Sequence, residues 1–586
     1  MALSLIATFP MVGSPTSRLI GHLDVDATNH AWGPWWWWNS IGRGEIPWHT
    51  TLLGAPAGGV LWFIDPFTAA VGAPVVGLVG GVGAYNLAIL VSVALAAAGG
   101  RSLARAFGAG PEAAWITAAA CAFSPYLLSE VHNGVSEAVG VAWGTFALAA
   151  ARRAIEEPGR RRWAITGVWL GIAAAGTWYY GFSAGITIGA WALLTRRRRE
   201  AVPGALFAGA IGLVIAAPVL ALVRASIRDP GSLVVRGDVP ASVRELLLTH
   251  NAVDPRAFFA PGGFQSVDLA GQGEAFLHSS YVGLVALGLA VVGMRGRSAD
   301  PTSSAEGESP ALALLGVVPA ALFSLGAYLW WGSDWVHVGT TRLALPFGWL
   351  VRVLPDAGST HAQRLVWPLL ATVAALAAVG AQRVAKGRAQ LFGVGALIAV
   401  DLLLSAPWPI ARLPELDLRS HAKLRQLALT ERAAGTAGAH GVLDLPAEVG
   451  ATMATSVYLL YQTASGLPIP YRPDARGGTS SMSSWSAFNV LFWPSAARPD
   501  QAAVLERELA RVAQVDIASI ETTGGIRWIV LHRELERGRG DVAVLEAQLR
   551  AWYGTPGELG THLTWDVRHR RANEGDVLVR PVAPGG

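Results

Sequence analysis

The chain has 586 residues, of which 52% are hydrophobic and 15% charged, and its mean hydropathy is +0.39. Soluble domains carry roughly 25% charged residues, so this composition excludes a wholly soluble protein and indicates an integral membrane protein with some soluble mass. The net charge of +4 is small, and the basic residues form short clusters between apolar runs, which is typical of membrane topology and not of a nucleic-acid surface. The single cysteine, Cys121, excludes an internal disulfide and a cysteine metal site.

Residues 3–13 are apolar, but they are fewer than the roughly 20 residues that a membrane span needs. Neither a basic leader nor a clear cleavage site accompanies them, which disfavours a signal peptide. We interpret the segment as the remnant of a first transmembrane helix and leave open whether Met1 is the true start.

The stretch from Gly21 to His49 is unlike the rest, because it holds Asp24 and Asp26, three histidines and six tryptophans. Tryptophan prefers the headgroup level of a bilayer, where the ring is buried and the N–H stays wet. We therefore predict a first external loop at residues 24–73 that lies on the membrane and carries an amphipathic Trp-rich helix. The alternative is an interfacial anchor whose acids are merely solvated, although acids at membrane depth tend to be functional.

Apolar runs of spanning length follow this loop and predict the helical part of the fold. They lie at 74–98, 111–128, 136–151, 163–180, 181–195, 202–223, 276–294, 310–331, 362–382 and 389–406. With the partial first helix they predict eleven spans, the fifth and sixth being separated by a break at Trp178–Phe182. The predicted fold class is an α-helical polytopic membrane protein with a small C-terminal α/β domain.

Basic residues follow every even-numbered span, so the loops that hold them are cytoplasmic by the positive-inside rule. They are Arg101 and Arg105, Arg152 to Arg162, Arg196 to Arg199, Arg295 and Arg297, and Arg383 to Arg388. The Asp24/Asp26 loop, the loops 224–275 and 332–361, and everything after 406 are then extracytoplasmic. Short amphipathic helices on the membrane are predicted at Val243–Leu248 and Leu343–Leu354.

The tail has more charge and no long apolar run, so residues 407–586 are predicted to form an extracytoplasmic α/β domain, separate from a transmembrane domain at 1–406. Its predicted strands are Gly441–Pro446, Ile526–His532 and Val577–Val582, and its predicted amphipathic helices are Ala502–Val512 and Val542–Trp552.

Asp24 and Asp26 are the first candidates for chemistry. A partly buried carboxylate at a membrane surface can act as a general base on an acceptor hydroxyl. It can equally hold a divalent metal that neutralises a phosphate leaving group. In an extended segment the two side chains point the same way, toward one site. Asp-x-Asp is a weak signal on its own, and no cofactor is required by the sequence beyond this possible metal.

The second external loop holds Glu130, His132 and Glu137, whose spacing matches no metal motif. They are candidate substrate-binding residues, and the alternative is an ordinary solvated connection between helices. Tyr179 and Tyr180 lie in the predicted break and are candidates for a sugar or acceptor site, although an aromatic belt explains them equally well.

Arg342 and Arg364 lie in or beside the fifth external loop, with Arg352 between them. Arginine is costly at this depth and binds phosphate well, so Arg342 and Arg364 are candidates for holding a lipid phosphate. The alternative is snorkelling to ordinary headgroups. Walker-type loops, a serine nucleophile elbow and His-Glu-x-x-His are absent from the sequence, which disfavours ATP-driven transport and proteolysis by those routes.

Taken together, several motifs resemble the bacterial GT-C superfamily of polytopic glycosyltransferases, the class of the protein mannosyltransferases and aminoarabinose transferases. The resembling residues are Asp26 before Trp32 to Trp38, Gly54-Ala-Pro56, Ala84-Tyr-Asn86, Ser124-Pro-Tyr126, Leu345-Pro346, Leu354-Pro355 and Arg364. The tail segment Tyr458–Ile469 looks like that of uncharacterised members with a C-terminal external domain. Departures from the family pattern are the truncated first span and the lack of a clear aspartate in the second loop.

The resemblance implies an inverting glycosyltransferase that uses a polyprenyl-phosphate sugar as donor on the external face of the inner (cytoplasmic) membrane, in glycan biosynthesis of the cell envelope. Asp26 would be the general base and Asp24 the second choice, with Arg364 or Arg342 on the donor phosphate. The implied partners are this donor, membrane lipid and a glycan, lipid or protein acceptor, and no nucleic acid. The alternatives are a lipid or polysaccharide transporter or flippase, which paired halves with polar groups at the midplane would favour, and a non-catalytic scaffold.

Overall fold

The computed structural model describes residues 1–21, 27–61, 65–233, 252–261, 277–295, 310–332, 334–353, 361–435, 440–446, 457–471, 517–535 and 541–569. Four of the predicted features lie outside the described residues: the pair Asp24 and Asp26, the helices Val243–Leu248 and Ala502–Val512, and the strand Val577–Val582.

Helices dominate the first 406 residues. In chain order they are α1 (Ala2–Ala7), α2 (Ala27–Gly42), α3 (Pro66–Gly72), α4 (Val76–Ala106), α5 (Ala114–Ala122), α6 (Pro125–Asn133), α7 (Ser136–Val139), α8 (Val141–Glu156), α9 (Arg160–Gly176), α10 (Trp178–Leu194), α11 (Arg198–Arg228), α12 (Leu284–Met294), α13 (Pro310–Ser324), α14 (Pro346–Val353), α15 (Trp367–Val384) and α16 (Arg388–Leu404). Short hairpins are formed by β1 (His49–Thr50) with β2 (Gly59–Val60), β3 (Trp330–Trp331) with β4 (Asp334–Trp335), and β5 (His337–Val338) with β6 (Thr341–Arg342).

Three helical stretches among the described residues are long and apolar enough to cross a membrane: Pro66–Ala106, Arg198–Ser226 and Ala362–Val384. Two shorter helices, α12 and α13, are apolar as well. The count of eleven spans therefore stays a prediction. The predicted division of 163–195 into two helices is confirmed, but the break lies at Thr177, whose backbone is extended (φ −154°, ψ 113°), and the predicted break at Trp178–Phe182 forms the start of α10.

Glycines let the helices of the bundle approach closely. Gly167 and Gly171, four residues apart on α9, lie against α11, and a Cβ on Gly167 would stand 2.6 Å from the carbonyl oxygen of Ala208. Gly293 on α12 and Gly380 on α15 likewise face backbone atoms of the opposite helix. Small residues at four-residue spacing are the usual way for membrane helices to gain van der Waals contact where no hydrophobic driving force exists between them.

The C-terminal region contains α17 (Arg419–Ala433), α18 (Val457–Ser465), α19 (Ala518–Thr522), α20 (Asp541–Tyr553) and a four-stranded sheet. The strands are β7 (Gly441–Leu445), β8 (Ile526–His532), β9 (Gly557–Leu559) and β10 (His562–Asp566), in the order β7-β8-β10-β9. β7 is parallel to β8, and the other pairs are antiparallel. The predicted strands at 441–446 and 526–532 and the predicted helix at 542–552 are confirmed.

The Trp-rich segment forms helix α2, but its predicted position among lipid headgroups is wrong for three of its tryptophans. Trp32 and Trp36 are fully buried and Trp35 nearly so, in one apolar core with β7, β8 and α18. Trp32 Nε1 donates to Gln462 Oε1 at 2.7 Å. An indole ring requires apolar surroundings and a hydrogen-bond acceptor. The prediction took both from the bilayer, whereas in the structure the C-terminal region provides them.

Candidate active site

Arg364 is the centre of a buried charge cluster. It lies in the 3₁₀ turn Ala362–Val366 that leads into α15, and only 2% of its side chain is exposed. Its NH1 donates to Glu137 Oε1 at 3.1 Å, and its NH2 donates to Glu130 Oε2 at 3.5 Å. A buried guanidinium is tolerated because two carboxylates balance its charge and accept its hydrogen bonds.

The two carboxylates come from consecutive short helices, α6 and α7. Gly134 ends α6 with φ +69°, a left-handed conformation that glycine adopts without the steric cost of a Cβ. The chain therefore reverses between Glu130 and Glu137, and both side chains reach the same guanidinium. This turn brings together three residues that the sequence had assigned separately to the second and fifth external loops.

Each carboxylate also meets a histidine. His30 Nε2 lies 3.0 Å from Glu137 Oε2, and His278 Nδ1 lies 3.7 Å from Glu130 Oε1. Gln363, next to Arg364, contacts His278 Nδ1 at 3.2 Å. His30 stands in the first turn of α2, which begins one residue after Asp26 in the sequence.

Tyr179 and Tyr180, at the start of α10, lie beside this cluster. The Arg364 Cζ atom is 5.1 Å from the centre of the Tyr179 ring, within the range of a cation–π contact. The Tyr179 hydroxyl accepts from the backbone N–H of His361 at 3.3 Å. Tyr180 reaches a different layer, where its hydroxyl is 2.8 Å from that of Tyr126 and donates to the Ala138 carbonyl.

A third buried acid, Asp65, was missed by the sequence analysis. Its carboxylate caps α3 by accepting from the Thr68 N–H at 3.0 Å, and it accepts from the Ser136 hydroxyl beside Glu137. The pattern Asp65-Pro66, an N-cap followed by proline at the first helical position, is the signal that could have identified the cap. His30 and His278 carried no such local signal.

The two ends of the Asp24/Asp26 segment lie at the turn between Glu130 and Glu137. A Cβ built on Gly134 would collide with Ala27, and one built on Gly21 would meet both Ala27 and Gly134. The Tyr85 hydroxyl fixes this turn by donating to the Gly134 carbonyl at 2.6 Å. The acids themselves lie outside the described residues, so their role stays a prediction.

Two predicted residues are not part of this cluster. His132 Nδ1 accepts from the backbone N–H of Ala411 at 3.4 Å, where the chain leaves the helical bundle. Arg342 lies on β6 with its guanidinium over the rings of Tyr328 and Trp335, 5.7 and 5.4 Å from their centres.

The described part of this site does not fit a metal by itself. Arg364 and His30 already face the Glu137 carboxylate, and Arg364 and His278 face that of Glu130. Within the described ranges, groups of three or more closely spaced histidine, aspartate or glutamate ligands occur in the C-terminal region alone. A metal at this site would therefore depend on Asp24 and Asp26.

Comparison with known proteins identifies the fold. No family model and no curated protein sequence matches the chain. Among solved structures it is similar to the arabinofuranosyltransferase AftD from Mycobacteria, with a TM-score of 0.50 and 16% identity over 97% of this chain and 39% of that one. It is also similar to the oligosaccharyltransferase AglB from Archaeoglobus fulgidus, with a TM-score of 0.49 and 12% identity over 94% of this chain and 71% of that one.

Both proteins are glycosyltransferases by name. At such low identity the likeness concerns the fold alone, and this chain spans about two fifths of the length of the arabinofuranosyltransferase. The chain therefore shares the fold of this arabinofuranosyltransferase, which agrees with the predicted resemblance to polytopic membrane glycosyltransferases. It is mostly helical and has a small sheet near its C-terminus.

Proposed function

We propose that this chain is a membrane glycosyltransferase that moves a sugar from a polyprenyl-phosphate donor to an extracytoplasmic acceptor, with inversion at the anomeric carbon. The observation that carries the proposal is the buried cluster of Glu130, Glu137 and Arg364, against whose turn both ends of the Asp24/Asp26 segment rest. Its occurrence in a fold shared with glycosyltransferases favours a transferase over the transporter hypothesis.

Asp26 is the proposed general base, with Asp24 as the second candidate. Its carboxylate takes the proton of the acceptor hydroxyl while that oxygen attacks the anomeric carbon from the face opposite the leaving group. The bond between that carbon and the phosphate oxygen breaks, and polyprenyl phosphate leaves with the electron pair. Holding donor and acceptor in one site supplies a large part of the rate through orientation.

Glu137 and His30 are proposed to position the base. His30 joins the start of α2 to Glu137 across 3.0 Å, so the segment just before α2 is tied to the charge cluster. Glu137 is 14% exposed while Glu130 is 1% exposed, which makes Glu137 the carboxylate nearer to a substrate.

Arg364 orients both carboxylates, because its charge is already matched by them. A donor phosphate would compete with these carboxylates for the two terminal nitrogens of Arg364. Arg342 is the other candidate for holding that phosphate. The donor would enter from the outer leaflet of the inner membrane, and the C-terminal region would stand on the same, extracytoplasmic side.

The test compares Asp26→Asn with a matched control, Asp334→Asn, which changes an exposed aspartate on β4. Each variant is expressed in cells that lack the wild-type gene, and the envelope glycans are profiled by mass spectrometry. Loss of a general base costs about 10²–10⁴-fold in rate. We expect the Asp26→Asn variant to reach normal expression and thermal stability but to transfer no sugar in these cells. We expect the Asp334→Asn variant to restore sugar transfer to the level of the wild-type protein. Full glycan synthesis by a folded Asp26→Asn variant would refute the proposal.

A further inference from the structure

A second polar cluster is buried in the C-terminal region, away from the site described above. It contains three histidines, two carboxylates and one hydroxyl, contributed by the start of α17, by β7, by the end of β8 with the turn after it, and by the start of β10. The residues are Ser420, His421, Asp444, His532, Glu534 and His562. The three imidazoles and Asp444 are fully buried.

The sheet explains how Ser420 and His562, which are 142 positions apart in the chain, come together. β7 pairs with β8 in parallel, and β8 pairs with β10 so that His562 stands directly opposite His532. Their ring centres are 4.3 Å apart. The start of α17 then places the His421 ring 5.7 Å from that of His532, on the side of Asp444.

Asp444 receives two imidazole nitrogens on one oxygen. His421 Nε2 and His532 Nε2 each lie 2.8 Å from Asp444 Oδ1. The other carboxylate oxygen, Oδ2, is buried and has no hydrogen-bond partner in the described part of the chain. An orphaned buried carboxylate oxygen is costly, and one explanation is an ion that binds it.

The opposite nitrogens of these two histidines have partners of their own. His421 Nδ1 is 3.1 Å from the Ser420 hydroxyl, and His532 Nδ1 is 3.2 Å from Glu534 Oε1. A histidine that binds a metal through one nitrogen almost always donates its other N–H to an oxygen, which fixes the ring. Both imidazoles have an oxygen beside the second nitrogen, as that arrangement requires.

The remaining contacts close around the cluster. The Ser420 hydroxyl lies 2.6 Å from His562 Nδ1, and His562 Nε2 lies 2.7 Å from Glu534 Oε1. The Tyr461 hydroxyl donates to the same glutamate oxygen at 2.9 Å. In the tautomer in which the Nδ1 atoms of His421 and His532 donate to Ser420 and Glu534, their Nε2 atoms carry lone pairs that point toward Asp444.

Two lone pairs and a carboxylate then face one another in a site closed to water. One divalent cation can bind all three groups, whose ligand atoms lie close together in a fully buried site. Asp444 Oδ2, which has no hydrogen-bond partner in the described part of the chain, offers such a cation a further oxygen.

We propose that His421, Asp444 and His532 form a site for a divalent transition metal of the Zn²⁺ type, bound through His421 Nε2, His532 Nε2 and the carboxylate of Asp444. Two imidazoles and a carboxylate are ligands that suit Zn²⁺ and are poor ligands for Mg²⁺ or Ca²⁺. Ser420, Glu534 and His562 are positioning residues. Because the site is buried, the metal is structural and joins α17 to β7 and β8.

The test measures metal in the purified full-length chain in detergent, isolated without added metal and then after dialysis with ZnCl₂. Elemental analysis is expected to find about one Zn²⁺ per chain. Replacement by Co²⁺ is expected to give the intense visible bands of a four-coordinate site. A strong chelator is expected to lower the unfolding midpoint by roughly 5 °C or more.

His421→Gln is expected to reduce the bound metal to less than one tenth. His440→Gln is the matched control, because His440 is a buried histidine of the same region that stacks on Trp528 and contacts no member of the cluster among the described residues. Asp26→Asn is a second control, which is expected to leave this metal in place and so separates it from any metal at the proposed active site.

The proposal is overturned if the wild-type chain takes up less than about a tenth of an equivalent of Zn²⁺ after dialysis. It is also overturned if the wild type and the His421→Gln variant contain equal amounts of metal. If His421→Gln does not accumulate as folded protein, the Co²⁺ spectrum and the chelator shift of the wild-type chain decide. Absence of both means that the cluster is held by protons alone.

Discussion

Arg364 contacts both carboxylates of the proposed active site that the structure describes, Glu130 and Glu137. All three residues had been put forward from the sequence. Sequence reasoning identified Arg364 because arginine is expensive at membrane depth, and it identified Glu130 and Glu137 as polar residues of the second external loop. It did not pair them, because 234 positions separate Arg364 from Glu130. It also missed His30 and His278, whose importance arises only from these contacts.

Arg364→Gln tests the pairing. Removing one member of a buried ion pair leaves the other charge uncompensated and typically costs about 3–5 kcal/mol. We expect a large fall in the thermal unfolding midpoint of the purified protein. The double variant Arg364→Gln, Glu130→Gln should recover part of that loss, since it removes the more deeply buried carboxylate.

The control is Arg388→Gln, which breaks the exposed pair with Glu112 and should change the midpoint little. An unchanged midpoint in Arg364→Gln would contradict the cluster as described.

At the scale of elements, helix α2 joins two parts of the molecule. Its N-terminal turn carries His30 to the charge cluster, and its middle carries Trp32 and Trp36 into the core of the C-terminal region. Composition predicted the helix and its aromatic character. Composition could not distinguish burial in lipid headgroups from burial in protein, because both environments satisfy an indole ring. The hydrogen bond from Trp32 to Gln462 shows burial in protein, and Gln462 is too distant in the sequence to be recognised as its partner.

Gln462→Leu tests this junction. The Gln462 side chain accepts from Trp32 Nε1 and donates to the carbonyls of Leu52 and Leu467. Leucine leaves these three buried groups without their partner, and each such loss typically costs about 1–3 kcal/mol. We expect lower thermal stability and easier proteolytic release of the C-terminal region.

Gln426→Leu, an exposed position on α17, is the matched control and should behave as wild type. Equal protease sensitivity of the two variants would mean that Gln462 does not hold the junction.

At the scale of the whole molecule, the presence of helices was predictable because an apolar run is a local signal, whereas their ends were not, as the span predicted at 111–128 shows by forming two helices, α5 and α6. The β7 and β8 strands were predictable because a short apolar run is likewise a local signal. The buried polar cluster that we propose as a metal site was not predictable, because its six side chains are spread over positions 420 to 562 and no two of them form a known motif. Only the strand order brings them together.

The orientation of the molecule in the membrane remains a prediction. It can be tested with introduced cysteines, because the chain has a single cysteine of its own, and that cysteine is buried. Thr555→Cys and Arg199→Cys place one exposed thiol each, in the C-terminal region and in the basic first turn of α11. We expect a membrane-impermeant maleimide to label Thr555→Cys in cells with an intact inner membrane, and Arg199→Cys only after lysis. Cys121 should stay unlabelled in the wild type. The reverse pattern would invert the proposed topology.

The central claim is that an acid before α2 drives sugar transfer from a lipid phosphate. The most direct measurement is release of polyprenyl phosphate by the purified chain in liposomes that contain lipid-linked sugars and an envelope extract as acceptor. We predict release by the wild type and by Asp334→Asn, and at least 100-fold slower release by folded Asp26→Asn. Equal release by Asp26→Asn and wild type would contradict the account.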